Sequence, residues 1–356
     1  FKQKTAYEIG VRLVGSEMCI RDRYMSDNSF KALVISENDD GTYTRKVTDR
    51  SLEDLPEGEV LLRVRYSSLN YKDGLSCIGN RGVTRNYPHT PGIDASGVVA
   101  ESSDSRFRPG DQVLVTGYDL GMNTSGGFGQ YIRVPADWVV QLPEGLSLKE
   151  AMIYGTAGYT AALSVHALQK HGITPEQGEI VVTGSTGGVG SISVLLLSNL
   201  GYDVVASTGK SSETDFLKGL GAKEIIDRDE VNDDSKKPLL KQRWAGGIDT
   251  VGDTTLATLL KSTKQRGAVA ATGLVASANL PTTVYPFILR GVSLLGIDSG
   301  ETPMNLRCQI WNKLASEWKF PQLKQLSVDC DLDDLGPEID KILAGGQRGR
   351  VVVNLQ

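Results

Sequence analysis

An apolar run, Ile180-Val181-Val182, leads into Thr183-Gly184-Ser185-Thr186-Gly187-Gly188-Val189-Gly190, and a second apolar run, Ile192 to Leu200, follows at once. Strand, tight turn and helix in that order restrict the fold of this chain more than any other stretch does. Gly187 and Gly190 stand at the second and third glycine positions of a G-x-G-x-x-G fingerprint, and Ser185 replaces the first. The second glycine lets backbone approach a pyrophosphate, and the third lets helix and strand pack closely. Gly188 and Val189 then open the helix, whose first N–H groups and positive dipole end favour phosphate. A tight turn with no ligand could use the same glycines. The strand before and the helix after supply the context that makes this a dinucleotide-binding expectation.

The next strand, Val204-Val205-Ala206, ends in Ser207-Thr208-Gly209-Lys210. An NAD site places Asp or Glu near this point to hold the ribose 2′-hydroxyl. Here two hydroxyls and a cation stand instead, which suits the 2′-phosphate of NADPH. Lys210 either meets that phosphate or is a solvated loop lysine. Arg228, just past the following strand, is placed to share it.

Helical stretches and short apolar runs continue to alternate. A helix from about Ser212 to Leu220 is followed by Ile225-Ile226, Ile248 to Val251, Ala268 to Ala271 and Leu294 to Ile297. Unbroken apolar runs fit strands covered on both faces, and strand–helix alternation fits a doubly wound parallel sheet. Before residue 150 the pattern differs. Val60, Leu62, Val64 and Tyr66 alternate with Leu61, Arg63, Arg65 and Ser67. Short strands follow at Gly97 to Ala100, Val113 to Val115 and Tyr131 to Val134. Many short strands between turns predict a small β-barrel. A helix near Thr302 to Trp318 and a strand, Arg350 to Asn354, close the chain. The expected division is 25–150 with 301–356 as one domain and 151–300 as the other, in an α/β protein.

The chain starts at Phe1, and Lys2 to Arg23 resembles the translation of a sequencing adapter. Residues 1–24 are therefore set aside as a non-native leader, and Cys19 with them. A transit peptide is disfavoured because Glu8, Glu17 and Asp22 interrupt the segment. The 38 basic and 43 acidic residues form no dense basic run, which argues against nucleic acid as a partner. No run of about 18 apolar residues is present, so no membrane-spanning helix is expected. The four cysteines lie far apart in sequence, which fits neither a disulfide framework nor a zinc knuckle and points to a reduced, cytoplasmic protein.

With these pieces in place, the chain from about Phe30 to Gln356 resembles the medium-chain dehydrogenase/reductase superfamily. Within it the likeness is to the acryloyl-CoA reductase group, which includes candidate quinone oxidoreductases. The resemblance is carried by Ser67 to Asp73 (SSLNYKD), Pro91 to Asp94 (PGID), Gly155 to Ala161 (GTAGYTA), the glycine turn, Gly247 to Asp253 (GIDTVGD), Leu280 to Val284 (LPTTV) and Pro286 to Arg290 (PFILR). It implies a GroES-like β-barrel catalytic domain, a Rossmann domain and a homodimer. It also implies cofactor contacts from Tyr71, Thr156, Leu274, Ser299 and Arg350. Zinc alcohol dehydrogenases of this superfamily carry a Gly-His-Glu block where this chain reads Gly92-Ile93-Asp94, and Asn70-Tyr71 stands where their first cysteine motif begins. The four-cysteine zinc lobe is absent as well, so no metal is expected.

Without a Lewis acid, reduction of an activated C=C bond is more accessible than alcohol oxidation. Tyr71 is the candidate donor to the substrate oxygen, or else a ring that packs on the nicotinamide. Asn70 would orient the cofactor or hold the loop, and Asp73 reads as a cap. Arg81 and Arg85 are possible contacts for coenzyme A phosphates. Three functions compete: NADPH-dependent reduction of acryloyl-CoA to propanoyl-CoA, reduction of a quinone or small enone, and NADPH binding in a structural role.

Overall fold

A computed structural model describes residues 28–356. The leader expected over 1–24, with Cys19, lies outside the described residues. An antiparallel ribbon, β1 (Ser29–Glu37) and β2 (Tyr43–Ser51), precedes the barrel strands β3 (Val60–Ser68), β4 (Asp94–Ser102), β5 (Gln112–Thr116), β6 (Tyr131–Val134) and β7 (Val140–Gln141). A short helix, α1 (Tyr71–Cys77), leaves the end of β3. Leu61 is buried along with Val60 and Leu62, so the first half of β3 is covered on both faces and shows less alternation than its sequence predicts.

The long helix α2 (Leu148–Lys170) then runs to the parallel strands β8 (Ile180–Val182), β9 (Val204–Thr208), β10 (Glu224–Asp227), β11 (Trp244–Asp249), β12 (Thr263–Ala271) and β13 (Ser293–Gly296). Their order is β10-β9-β8-β11-β12-β13. That is the doubly wound arrangement, with its switch point between β8 and β11. Successive residues of each strand enter different cores. Val182, Ala206 and Ile248 pack with α2 and α3 (Gly188–Asn199), whereas Val181, Val205 and Val269 join Leu259 and Leu260 of α5 (Asp253–Ser262). Helix α4 (Thr214–Gly219) lies between β9 and β10, and α6 (Tyr285–Arg290) precedes β13.

After β13 the chain passes through α7 (Met304–Ala315), β14 (Ser327–Asp331) and α8 (Leu335–Leu343) to β15 (Arg350–Asn354). These last strands extend the first sheet in the order β14-β15-β3-β4-β5-β7, with β6 also on β3. The fold is therefore a GroES-like barrel, begun and finished by opposite ends of the chain, beside a Rossmann sheet. Among the described residues no helix is long and apolar enough to cross a membrane.

Candidate active site

In open α/β sheets, ligands bind outside the carboxyl ends of the strands at the switch point. The expected nucleotide residues lie there. The glycine turn follows β8, Ser207 to Lys210 ends β9, Arg228 follows β10, Leu274 follows β12 and Ser299 follows β13. Gly184, one residue before the fingerprint, takes the left-handed turn of the backbone (φ 58°). Gly190 must lack a side chain, since a Cβ there would lie 2.3 Å from Gly184 O. Gly188, Val189 and Gly190 form the first turn of α3, where N–H groups have no partner within the helix. Ser185 differs from these. It is fully buried, and its hydroxyl donates to Val182 O (2.7 Å) and Ser207 O (2.9 Å), so its side chain joins two strands.

At the end of β9, Ser207 Oγ is buried with no partner among the described residues. The exposed Arg228 side chain lies over Gly209, where a Cβ would come within 2.7 Å of its Nε. Lys210 Nζ donates to Gln347 O (2.8 Å), and partial burial lowers its pKa. An orphaned hydroxyl and an exposed guanidinium around one strand end fit a phosphate monoester, and the helix turn fits a pyrophosphate. Leu274 is 65% exposed above Gly252.

The barrel contributes a buried polar cluster facing the glycine turn. Its centre is Asp94 at the start of β4, a residue that ends the Pro91 to Asp94 block and to which the sequence alone assigns no role. Asp94 Oδ2 accepts from Ser68 Oγ (2.6 Å) and Asn70 Nδ2 (2.8 Å), and Oδ1 accepts from Thr156 Oγ1 (2.6 Å). The Thr156 N–H lies 2.9 Å from both carboxylate oxygens. Arg350 Nη2 stands 3.6 Å away. Thr156 reaches Asp94 because α2 breaks at Gly155 (φ 50°, ψ −158°), which frees its second half to begin on that carboxylate. The Arg350 guanidinium is buried and also donates to Ile153 O (3.1 Å), Leu69 O (3.1 Å), Asn70 Oδ1 (3.2 Å) and Ser68 Oγ (2.8 Å). A Cβ on Gly188 would sit 3.0 Å from Arg350 Nη1, so the guanidinium abuts the start of α3. Burial lowers its pKa against the opposing pull of Asp94 and Asp73.

Asp73 caps α1. Its Oδ2 accepts the Asn70 N–H (2.8 Å) and its Oδ1 accepts the Ile93 N–H (2.9 Å). Burial and then the nearby Asp94 charge raise its pKa to about 7. Tyr71, the next residue after Asn70, is 41% exposed at the first turn of α1. Asn70, Thr156 and Arg350 are thus brought together on one carboxylate, with Tyr71 beside them. Arg81 is engaged elsewhere: it pairs with Glu37 (2.5 Å) and donates to Arg85 O (2.5 Å). Among the described residues no group of three or more His, Cys, Asp or Glu is placed to hold a metal.

Comparison with known proteins agrees with this fold. The family description "Alcohol dehydrogenase GroES-like domain" matches residues 56–144, and "Zinc-binding dehydrogenase" matches residues 188–316. The acrylyl-CoA reductase AcuI of Ruegeria pomeroyi is 47% identical over 328 residues, which cover 92% of this chain and 99% of that protein. A candidate quinone oxidoreductase of Bacillus subtilis, YhfP, is 49% identical over 327 residues, covering 92% and 99%. The structure of YhfP with NAD bound matches at a TM-score of 0.89 and 48% identity, over 92% of this chain and 100% of that one. Escherichia coli YhdH with bound NADPH matches at a TM-score of 0.88 and 45% identity, over 91% and 100%.

Proposed function

The chain belongs to the medium-chain dehydrogenase/reductase superfamily, and from that premise we propose that it is an NADPH-dependent reductase of activated C=C bonds, with acryloyl-CoA as substrate and propanoyl-CoA as product. The observation that carries this reading is the cluster of Asn70, Thr156 and Arg350 on Asp94, set against the open helix turn at Gly188. Gly188, Val189, Gly190 and Arg350 would hold the pyrophosphate, while Ser207, Thr208, Lys210 and Arg228 would hold the 2′-phosphate. Thr156, Leu274 and Ser299 would border the nicotinamide half.

NADPH, when bound, supplies the hydride. Reduction of an enoyl thioester puts negative charge on the thioester oxygen, so the protein must supply a donor there and a proton for the α-carbon. Tyr71 is the exposed hydroxyl closest in sequence to the cluster, and it fills the donor role. Asn70 holds the loop that presents it, through Asp94 and Arg350. Ile93 stands where the zinc enzymes carry histidine and has no atom to bind a metal. Charge at the substrate oxygen would then be stabilised by hydrogen bonds.

The second reading, a quinone or small-enone reductase, rests on the likeness to the Bacillus subtilis relative. NADPH oxidation followed by absorbance, with acryloyl-CoA in one cuvette and 1,4-naphthoquinone in another, separates the two. Turnover of the quinone alone would overturn the main reading. Purified enzyme should hold no stoichiometric zinc by elemental analysis and keep full activity in a chelator.

The reductase is proposed to act as a homodimer. Val284, Tyr285, Ile288 and Leu289, in and just before the helix that leads into the edge strand β13, are exposed, and exposed apolar side chains grouped in this way are of the kind that marks an interface. Cys77, Cys308 and Cys330 are free thiols, in keeping with a cytoplasmic location.

A further inference from the structure

A second polar assembly lies close to the Asp94 cluster. Thr116, at the end of β5, pairs with Asp94 across the barrel ladder, and Tyr159 stands one turn beyond Thr156 on α2. Between these points lies Arg307 of α7, fully buried. Its acceptors are all neutral. Nη1 donates to Thr116 O (2.7 Å) and Thr116 Oγ1 (3.2 Å), and Nη2 donates to Gly300 O (2.7 Å) and Ser299 O (3.2 Å). The guanidinium carbon lies 4.4 Å from the Tyr118 ring centroid and 5.1 Å from that of Tyr159. Tyr118 stacks on Trp138 (5.3 Å, 2°), and Tyr159 stacks on Trp311 (5.8 Å, 12°). Five planar groups, Trp138, Tyr118, Arg307, Tyr159 and Trp311, form one column from the barrel to the helices beside the parallel sheet.

A buried cation is costly unless its surroundings compensate for lost water. Carbonyl dipoles and two ring faces do so here. A neutral side chain could fill the space at lower cost. What the guanidinium adds is reach: one rigid plane grips carbonyls from two distant segments, Thr116 of the barrel and Ser299-Gly300 after β13. The two segments also touch directly. Tyr118 N–H donates to Gly300 O (3.2 Å), and a Cβ on Gly117 would lie 3.1 Å from Gly300 Cα. Tyr118 is held at φ 52°, a left-handed backbone that a bulky residue adopts only when its surroundings enforce it.

We propose that Arg307 is a positioning residue of the reductase: through this column it fixes the Ser299-Gly300 loop against the barrel and so sets the spacing across the nicotinamide end of the site. This rests on the cofactor reading above. The phosphate-binding candidates after β8, β9 and β10 belong to the parallel sheet, and none of Trp138, Tyr118, Arg307, Tyr159 and Trp311 is among them. Loosening it therefore disturbs the alignment of cofactor and substrate and leaves nucleotide affinity alone.

The test compares wild type with Arg307→Lys, which keeps the charge but cannot bridge both segments. NADPH affinity is read by the cofactor's fluorescence, and kcat is measured with saturating acryloyl-CoA or 1,4-naphthoquinone, per NADPH-binding site. The expected result is a kcat lower by about tenfold or more, since small misplacements have large effects on reaction rate, with the NADPH Kd within about twofold. Hydrogen exchange should quicken at residues 117–118 and 299–302. Tyr118→Leu removes one ring face and leaves the hydrogen bonds, so it should lower kcat about threefold, by analogy with the modest worth of one cation–π contact; it decides the matter if Arg307→Lys does not fold. An unchanged kcat, or a loss confined to NADPH affinity, overturns the proposal. Failure of the wild type to bind NADPH overturns the cofactor reading instead.

Discussion

Four side chains of the candidate site, Ser68, Asn70, Thr156 and Arg350, converge on Asp94. Asp94→Asn keeps the shape but removes the carboxylate nearest the buried Arg350 guanidinium. Breaking a buried pair costs about 3 kcal/mol or more, so urea unfolding should show a loss of that order; a loss under about 1 kcal/mol, typical of an exposed pair, would count against the cluster. Asp73 gives a pH signature of the opposite kind from an ordinary paired carboxylate. Its pKa rises from 3.8 unfolded to about 7 folded, by burial and then by the Asp94 charge. Between those values the folded chain holds a proton that the unfolded chain has released. Stability attributable to Asp73 is therefore present at low pH and falls as pH rises toward 7, by at most about 1.4 kcal/mol per pH unit. Asp73→Asn should flatten that decline, and an equally steep decline in the variant would show that another group causes it. At the end of β9, Arg228 has an exposed side chain, whereas the Lys210 ammonium already bonds Gln347 O. Arg228→Ala should raise the KM for NADPH about tenfold, the scale of one charged hydrogen bond, and leave that for NADH nearly alone; Lys210→Ala should do less. Equal KM values for the two cofactors in wild type would remove the basis for both. The missing acid at this strand end can be read in the sequence because its residues are neighbours. Asp94 cannot, because Arg350 joins it from 256 positions further along the chain.

Helix α2 is the element on which the two halves of the site meet, and its break at Gly155 makes that possible. A Cβ there would lie 2.4 Å from Asp94 Oδ2, 2.5 Å from Ser68 Oγ and 2.8 Å from Arg350 Nη2, at a φ/ψ that side chains avoid. Gly155→Ala should destabilise the protein by about 2 kcal/mol or more from backbone strain and crowding, and should lower activity as Thr156 leaves Asp94. A variant with wild-type melting and turnover would show that the break is incidental. The glycine turn of α3 was open to sequence reasoning, since strand, turn and helix lie within about 20 residues, the span of one fingerprint. The break in α2 was not. Gly155 looks like any small residue in a helical run until Asp94, folded back from the barrel, is seen to occupy the space of its side chain. The final strand, by contrast, was expected at Arg350 to Asn354 and is found there, because its three valines need a buried sheet whichever sheet that is.

At the scale of the whole molecule, the exposed apolar residues Val284, Tyr285, Ile288 and Leu289 before β13 underlie the proposed homodimer. Ile288, 69% exposed, contributes little to the folded monomer, so Ile288→Glu should leave melting nearly unchanged at low concentration but shift sedimentation from dimer to monomer. Sedimentation of the wild type as a monomer would refute the assignment. The barrel and the parallel sheet were each legible from their own periodicity. Their joining was not, because Thr116, Ser299 and Arg307 meet through backbone carbonyls that no side-chain pattern records. The return of β15 to the first sheet also sets an order of events during synthesis. Residues 180–296 can leave the ribosome and form a complete parallel sheet while β3, already beside β4 and β6, still lacks β15. Domains generally fold as units during synthesis, so a nucleotide cradle exists before the protein has its buried Arg350. The growing chain would pass through a stage able to grip the adenosine end of a cofactor yet unable to use it, until β15 joins β3 and brings Arg350 to Asp94.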